Sequence, residues 1–262
     1  MRKPGHKIFI ISFSLSVCLH FVAAKVSAQE ARKIDETTYL RCDLSEVPQI
    51  TDSPMPLFKA LADDQEARAA IIVYGMEGFA RRYANNVKRW LSEVRGIKAE
   101  RFVTMYGGPS KEERLELWLI QRGAALPKVD SAEDYKIAVL FDTYIYWHGE
   151  YCGPDRPSAL AEFAEALKRH AGWRGYIIVR PHRNKRGVSA GDANWDPDGY
   201  VSRQQALGYA AKDRLYLTKK FSFNPERVKA VVGSDDKWTH GELWLVPPGA
   251  EPPVAKAKSS IK

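Results

Sequence analysis

The sequence predicts an α+β protein made of two tandem β-α-β-α-β-β repeats, each a sheet with helices on one face. Three observations lead there. Shifted by 126 positions, residues 83–127 fall without a gap on 209–253, and fourteen of the 45 positions are identical. The clearest block sets Glu116-Leu117-Trp118-Leu119 against Glu242-Leu243-Trp244-Leu245, followed by Gly123-Ala124 against Gly249-Ala250. Self-similarity of this kind marks a duplicated unit. Upstream the offset falls to 106, so that Leu57, Ala60 and Leu61 meet Phe163, Ala166 and Leu167, and Ile71-Ile72-Val73 meets Ile177-Ile178-Val179. The second copy therefore carries about twenty extra residues, between Arg180 and Gly208. Within each copy strand and helix periods alternate, which implies a sheet with helices packed on it.

The elements follow in the same order in both copies. Tyr39 to Leu44, and Ile137 to Trp147 in the second copy, have the β-branched and aromatic content of a first strand. Residues 57–67 and 159–171 place apolar side chains at helical spacing, with Ser158 as the expected cap of the second helix. Buried strands are expected at 70–74 and 176–180. The next helix puts Tyr83, Val87, Trp90, Leu91 and Val94 on one face and stops at Gly96. A strand over 101–106 leads to a turn containing Gly107-Gly108-Pro109. In the last strand, 115–120, Leu117 and Leu119 face away from Glu116 and Trp118.

At 45% apolar and 27% charged residues the chain has the composition of a folded protein, which excludes one that is mostly disordered. The apolar run 8–24 follows Arg2, Lys3 and Lys7 and precedes Val26-Ser27-Ala28, the pattern of a secretory signal peptide cleaved near Ala28. The expected layout is a leader at 1–28, repeats at 38–127 and 137–253, an insertion at 181–208 and a flexible basic tail at 254–262. No transmembrane span is expected after cleavage, and the expected location is periplasmic or secreted. Seven of the eight net positive charges lie in the leader and tail, as Arg2, Lys3, Lys7, Lys25, Lys256, Lys258 and Lys262. The folded part is nearly neutral, which argues against a nucleic-acid partner. Cys42 and Cys152 stay after cleavage, in an oxidising compartment where a disulfide between them is the default reading.

Lys88-Arg89-Trp90-Leu91, then Arg95-Gly96-Ile97, Glu100-Arg101 and Tyr106-Gly107-Gly108 before a terminal strand, resemble the OmpA C-terminal-like fold. The resemblance covers both copies and implies an exported bacterial protein that binds peptidoglycan in the periplasm. In that family an Asp after the second strand and an Arg-Ala pair in the next helix hold the diaminopimelate of the peptide stem. Here the Asp position falls near Gly78, with Glu77 beside it. The Arg-Ala pair is matched by Tyr83-Ala84, with Arg82 one residue early, and by Tyr209-Ala210. A zwitterion needs a carboxylate for its ammonium and a guanidinium fork for its carboxylate, and a tyrosine cannot replace the fork. Tyr83 and Tyr209 are then either ligand contacts or core tyrosines. Glu77 with Arg82 would rebuild a weaker site in the first copy only.

Two further features stay open between readings. Trp118 and Trp244 are either an aromatic platform on the helix-free face, for wall polymer or for another envelope protein, or are covered by packing. In the insertion, Asn194, Asp196, Asp198, Tyr200 and Gln205 have the spacing of an EF-hand-like calcium loop around Gly199. Alternatively, Ser202 and Gln205 form a capping box. No H-E-x-x-H or G-x-S-x-G occurs, and His148 and Cys152 lack a second cysteine pair to complete a zinc site. The chain therefore reads as a binding protein without an organic cofactor rather than an enzyme, the alternative being a hydrolase whose residues converge only in three dimensions.

Overall fold

The computed structural model describes residues 30–38, 55–129, 135–146, 153–182, 201–236 and 238–254. The first copy comprises β1 (Arg32–Thr38), α1 (Met55–Asp63), β2 (Arg68–Tyr74), α2 (Glu77–Arg95), β3 (Phe102–Gly108) and β4 (Arg114–Ile120). The second comprises β5 (Val139–Ile145), α3 (Arg156–Arg169), β6 (Arg174–Arg180), α4 (Arg203–Lys220), β7 (Val228–Val232) and β8 (His240–Val246). The sheets have orders β1-β4-β2-β3 and β5-β8-β6-β7, so the β-α-β-α-β-β unit occurs twice. In each, one pair is parallel, β2 with β3 and β6 with β7, and the last strand runs antiparallel between its neighbours.

Alternation along the strands decides what each sheet face carries. Ile71, Val73, Leu115, Leu117 and Leu119 join Leu57, Leu61, Phe79, Tyr83, Val87 and Leu91 in the first core, between sheet and helices. Ala70, Ile72 and Ile120 point the other way, with Trp118 beside them. The second copy repeats this with Ile177, Val179, Leu243 and Leu245 under Phe163, Leu167 and Leu217. Gly96, in the left-handed conformation at φ 64°, ends α2 as expected. Val94 stays 55% exposed and does not join the buried face.

Two expectations need correction. The first strand of the first copy is Arg32–Thr38, not 39–44, and residues 39–54 lie outside the described part. Its register proves the equivalence: Asp35 pairs with Leu117 and Asp142 with Leu243, each just after a bulge that skips Ile34 and Phe141. The cap of α3 is Asp155, whose side chain accepts from the Ser158 backbone N–H at 2.7 Å. Ser158 is the residue being capped.

One arginine in each copy ties the sheet to the end of the first helix. Arg101 donates from Nε to the Ala67 carbonyl at 2.9 Å and from Nη2 to those of Leu61 and Asp64 at 2.8 and 2.7 Å. Arg227 repeats this on Trp173, Leu167 and His170 at 3.2, 2.9 and 3.2 Å. These carbonyls include the otherwise unpaired ones at a helix C-terminus. The donors are 126 apart and the acceptors 106 apart, so both sequence offsets meet in one interaction.

The copies dock through α2. It packs on β2 and β3 of its own copy and also on β5 and α3 of the second. Leu140 of β5 adds to the first core. Among the described residues no helix is long and apolar enough to cross a membrane.

Candidate functional site

The start of α2 carries Glu77 and Arg82, five residues apart and so on different sides of the helix, and each reaches side chains of the second copy. Arg82 Nη1 stands 2.7 Å from Asp142 Oδ2 and also pairs with Glu162. Burial works against the Arg82 charge, and the carboxylates of Asp142 and Glu162 outweigh it and raise its pKa. Arg82 Nε and Nη2 are buried without a partner among the described residues, so the fork works through a single nitrogen. Glu77 accepts from Arg81 Nε at 2.8 Å and from Arg169 Nη2 at 3.2 Å. A Cβ on Gly78 would lie 2.6 Å from Asp142 Oδ2 and 2.9 Å from the Phe141 ring, so only glycine allows β5 this close. The expected clamp of Glu77 and Arg82 is thus engaged within the chain. Asp142, Glu162 and Arg169, which complete it, were not foreseen.

Tyr83 is buried and its ring stacks with Phe79 at 6.0 Å, as a core tyrosine does. Tyr209, at the matching position, is half-buried and stacks face to face with Tyr146 at 4.4 Å.

The helix-free faces carry the feature common to both copies. Trp118 Nε1 donates to Glu116 Oε2 at 2.9 Å, and Trp244 Nε1 to Glu242 Oε2 at the same distance. Strand alternation at i and i+2 puts each pair on one face. Around Glu116 stand the Tyr74 hydroxyl at 3.2 Å, Lys33 Nζ at 3.5 Å and Arg114 Nη2 at 3.6 Å. The Arg114 guanidinium lies over the Tyr74 ring at 3.9 Å. Around Glu242 stand Arg180, donating from Nε and, at 3.2 Å, from Nη2, and the His240 ring at 3.6 Å. Burial alone would raise the Glu242 carboxyl, but hydrogen bonds from His240, Arg180 and Trp244 overcome it and hold the pKa at about 2. Burial lowers His240, and its contacts with Glu242 and the Trp238 carbonyl bring it above its ordinary 6.5. Both tryptophans are half-buried rather than exposed. Trp118 packs beside Ala70, Ile72, Ile120 and Ala124, and Trp244 beside Tyr176, Val246 and Ala250.

A third cluster belongs to the second copy alone. Asp213, fully buried on α4, accepts from the Tyr144 and Tyr146 hydroxyls at 2.5 Å each and pairs with Arg156. Burial, then the Asp213 charge, pushes the Tyr146 hydroxyl far above its usual range. Val87 holds the matching place in α2. Asp213 sits seven residues after Ala206 and four before Leu217, so its place on the apolar face was the available signal.

Gln205 forms the capping box: Ser202 N donates to its Oε1 at 2.8 Å, and its own N–H donates to Ser202 Oγ at 3.2 Å. Asn194, Asp196, Asp198 and Tyr200 lie outside the described residues, as do Cys42, Cys152 and His148. Among the described residues no group of three or more His, Cys, Asp or Glu side chains is placed to hold a metal. No protein-family model matches the chain, and no curated protein matches it.

Proposed function

We propose that this is an exported cell-envelope protein that acts by binding, not catalysis, and that its recognition surface is the helix-free face of its sheets. The observation that carries this reading is the duplicated unit on those faces, a tryptophan N–H on a carboxylate that an arginine also pairs, at Glu116/Trp118 and Glu242/Trp244. A half-buried indole edge with fixed charges around it suits a polar, hydroxyl-rich or charged polymer. The resemblance to the OmpA C-terminal-like fold and the leader-like N-terminus support an envelope location.

That resemblance also says which site to discount. The family's carboxylate position falls at Gly78, and Asp142 of the second copy stands against it, paired with Arg82. A diaminopimelate stem would have to displace that pair and its neighbours. Peptidoglycan binding through the usual place is accordingly weak or absent.

Pull-down on purified sacculi with and without free diaminopimelate tests the proposal. Weak retention that diaminopimelate leaves unchanged is expected. Tight retention that free diaminopimelate competes away contradicts it.

A further inference from the structure

The two tryptophan units differ at the positions that flank their carboxylates. On β2 and β4 Tyr74 stands opposite Arg114, and on β6 and β8 the matching pair is Arg180 opposite His240. The offsets of 106 and 126 give the same equivalence, Tyr74 with Arg180 and Arg114 with His240. The arginine has therefore changed strands, and a histidine fills the place it left. A third place differs too, since Lys33 lies opposite Trp118 but Leu140 lies opposite Trp244.

Glu116 is thus paired by a lysine and an arginine, Lys33 and Arg114, side chains of types that stay charged through neutral pH. Glu242 is paired by Arg180 and by an imidazole, the side chain whose charge changes in that range. We infer that the second tryptophan unit responds to protons near neutral pH and the first does not, so that the recognition surface changes charge on one of its two faces. The functional consequence rests on the reading of the helix-free faces as that surface.

The contacts of His240 fix where its proton goes. Nδ1 lies 3.0 Å from the Trp238 carbonyl, which can only accept, so Nδ1 carries a hydrogen. Nε2 faces Glu242 Oε1 at 3.6 Å. A neutral ring would set a lone pair against that carboxylate oxygen, and a proton on Nε2 turns the contact into an ion pair. Among the described residues the charged groups around the ring are Glu242 on β8, Arg180 opposite on β6 and Asp236 in the loop before β8, while β5 opposes it with Ile145. Arg180 is itself paired with Glu242 and donates to Ser234 Oγ at 2.8 Å, which limits its repulsion of a charged ring. Burial disfavours the charged ring, and Glu242, the Trp238 carbonyl and Asp236 outweigh it, so the proton is held to above the ordinary 6.5.

As pH rises through that point the ring loses its charge, and Glu242 keeps Arg180 and the Trp244 N–H as donors. Trp244 senses the change directly, because its indole N–H lies 2.9 Å from Glu242 Oε2. Loss of a positive charge weakens this face for an anionic ligand and leaves the first face as it was.

Indole N–H resonances of the exported chain, followed by NMR from about pH 5.5 to 8.5, test this without a ligand. The Trp244 signal, identified by its loss in Trp244→Phe, is expected to shift with one midpoint above 6.5, while the Trp118 signal stays in place. The shift is expected to vanish in His240→Gln and in His240→Arg, the second of which copies the arginine of the first unit, and to persist in His182→Gln. A Trp244 signal that does not move, that moves together with that of Trp118, or that still moves in both His240 variants overturns the inference. Retention on purified sacculi reads the consequence. Trp118→Ala, which keeps only the second unit, is expected to lose retention several-fold across the same range, and Trp244→Ala to show no such change. An equal change in both overturns the link to recognition, whereas a chain that sacculi never retain refutes the proposed surface and leaves the titration standing.

Discussion

Arg82 of the first copy and Asp142 of the second meet at 2.7 Å, so an ion pair whose carboxylate is only 1% exposed joins the two repeats. Removing one member of such a pair strands the other's charge. Arg82→Ala should cost about 3 kcal/mol in unfolding free energy, at the low end for a buried pair because its side chain is 20% exposed. Gly78→Ala should also destabilise, since its methyl group would collide with Asp142. Urea titration checks both, and a cost well under 1 kcal/mol for Arg82→Ala would mean that the copies are not held this way.

The two arginine clamps predict matched effects. Arg101→Ala and Arg227→Ala should each lower stability by about 2 kcal/mol, the scale of hydrogen bonds made by a charged group. Lysine should recover only part of this, because one ammonium cannot span three carbonyls as the fork does. Chemical denaturation of the four variants decides it. A clamp that mattered in one copy only would break the equivalence of the repeats.

Glu242 predicts a pH dependence with a definite sign. Its pKa is held at about 2, below the ordinary 4.5, so its stabilisation is complete above about pH 4.5 and is lost as pH falls through about 2. The shift corresponds to something on the order of 3 kcal/mol. Glu242→Gln should be less stable than the parent at neutral pH, and the two curves should converge on acidification. Parallel curves across that window would contradict the pairing with Arg180 and His240.

Asp213 predicts that an apolar replacement fails. Val87 is at home in the first copy, but Asp213→Val leaves two buried hydroxyls and the Arg156 charge without their acceptor. A loss of about 3 kcal/mol or more is expected, measured by thermal or urea unfolding.

The fold was legible because duplication and strand alternation are both properties of sequence order. The shared Glu-Leu-Trp-Leu block places the central strands β4 and β8, and Leu117 and Leu119 face the core as their period requires. The edge strand β1 was misplaced because Arg-Lys-Ile-Asp-Glu-Thr-Thr is largely solvated and lacks the apolar signal of a buried strand. The offset of 106, applied to the expected strand at 137–147, gives 31–41 and would have found it. The partners of Glu77 and Arg82 were hidden for another reason. Contacts between Arg82 and Asp142 join positions far apart in sequence and obey neither repeat offset, so only the docking of the copies brings them together.

Retention on purified sacculi, compared between the parent chain and a Trp118→Ala/Trp244→Ala variant, tests the proposed recognition surface most directly. Weak retention by the parent, unaffected by free diaminopimelate and reduced several-fold in the double variant, is the expected result. Retention that the double variant keeps in full while diaminopimelate abolishes it would move recognition to the start of α2 and contradict the assignment to the helix-free faces.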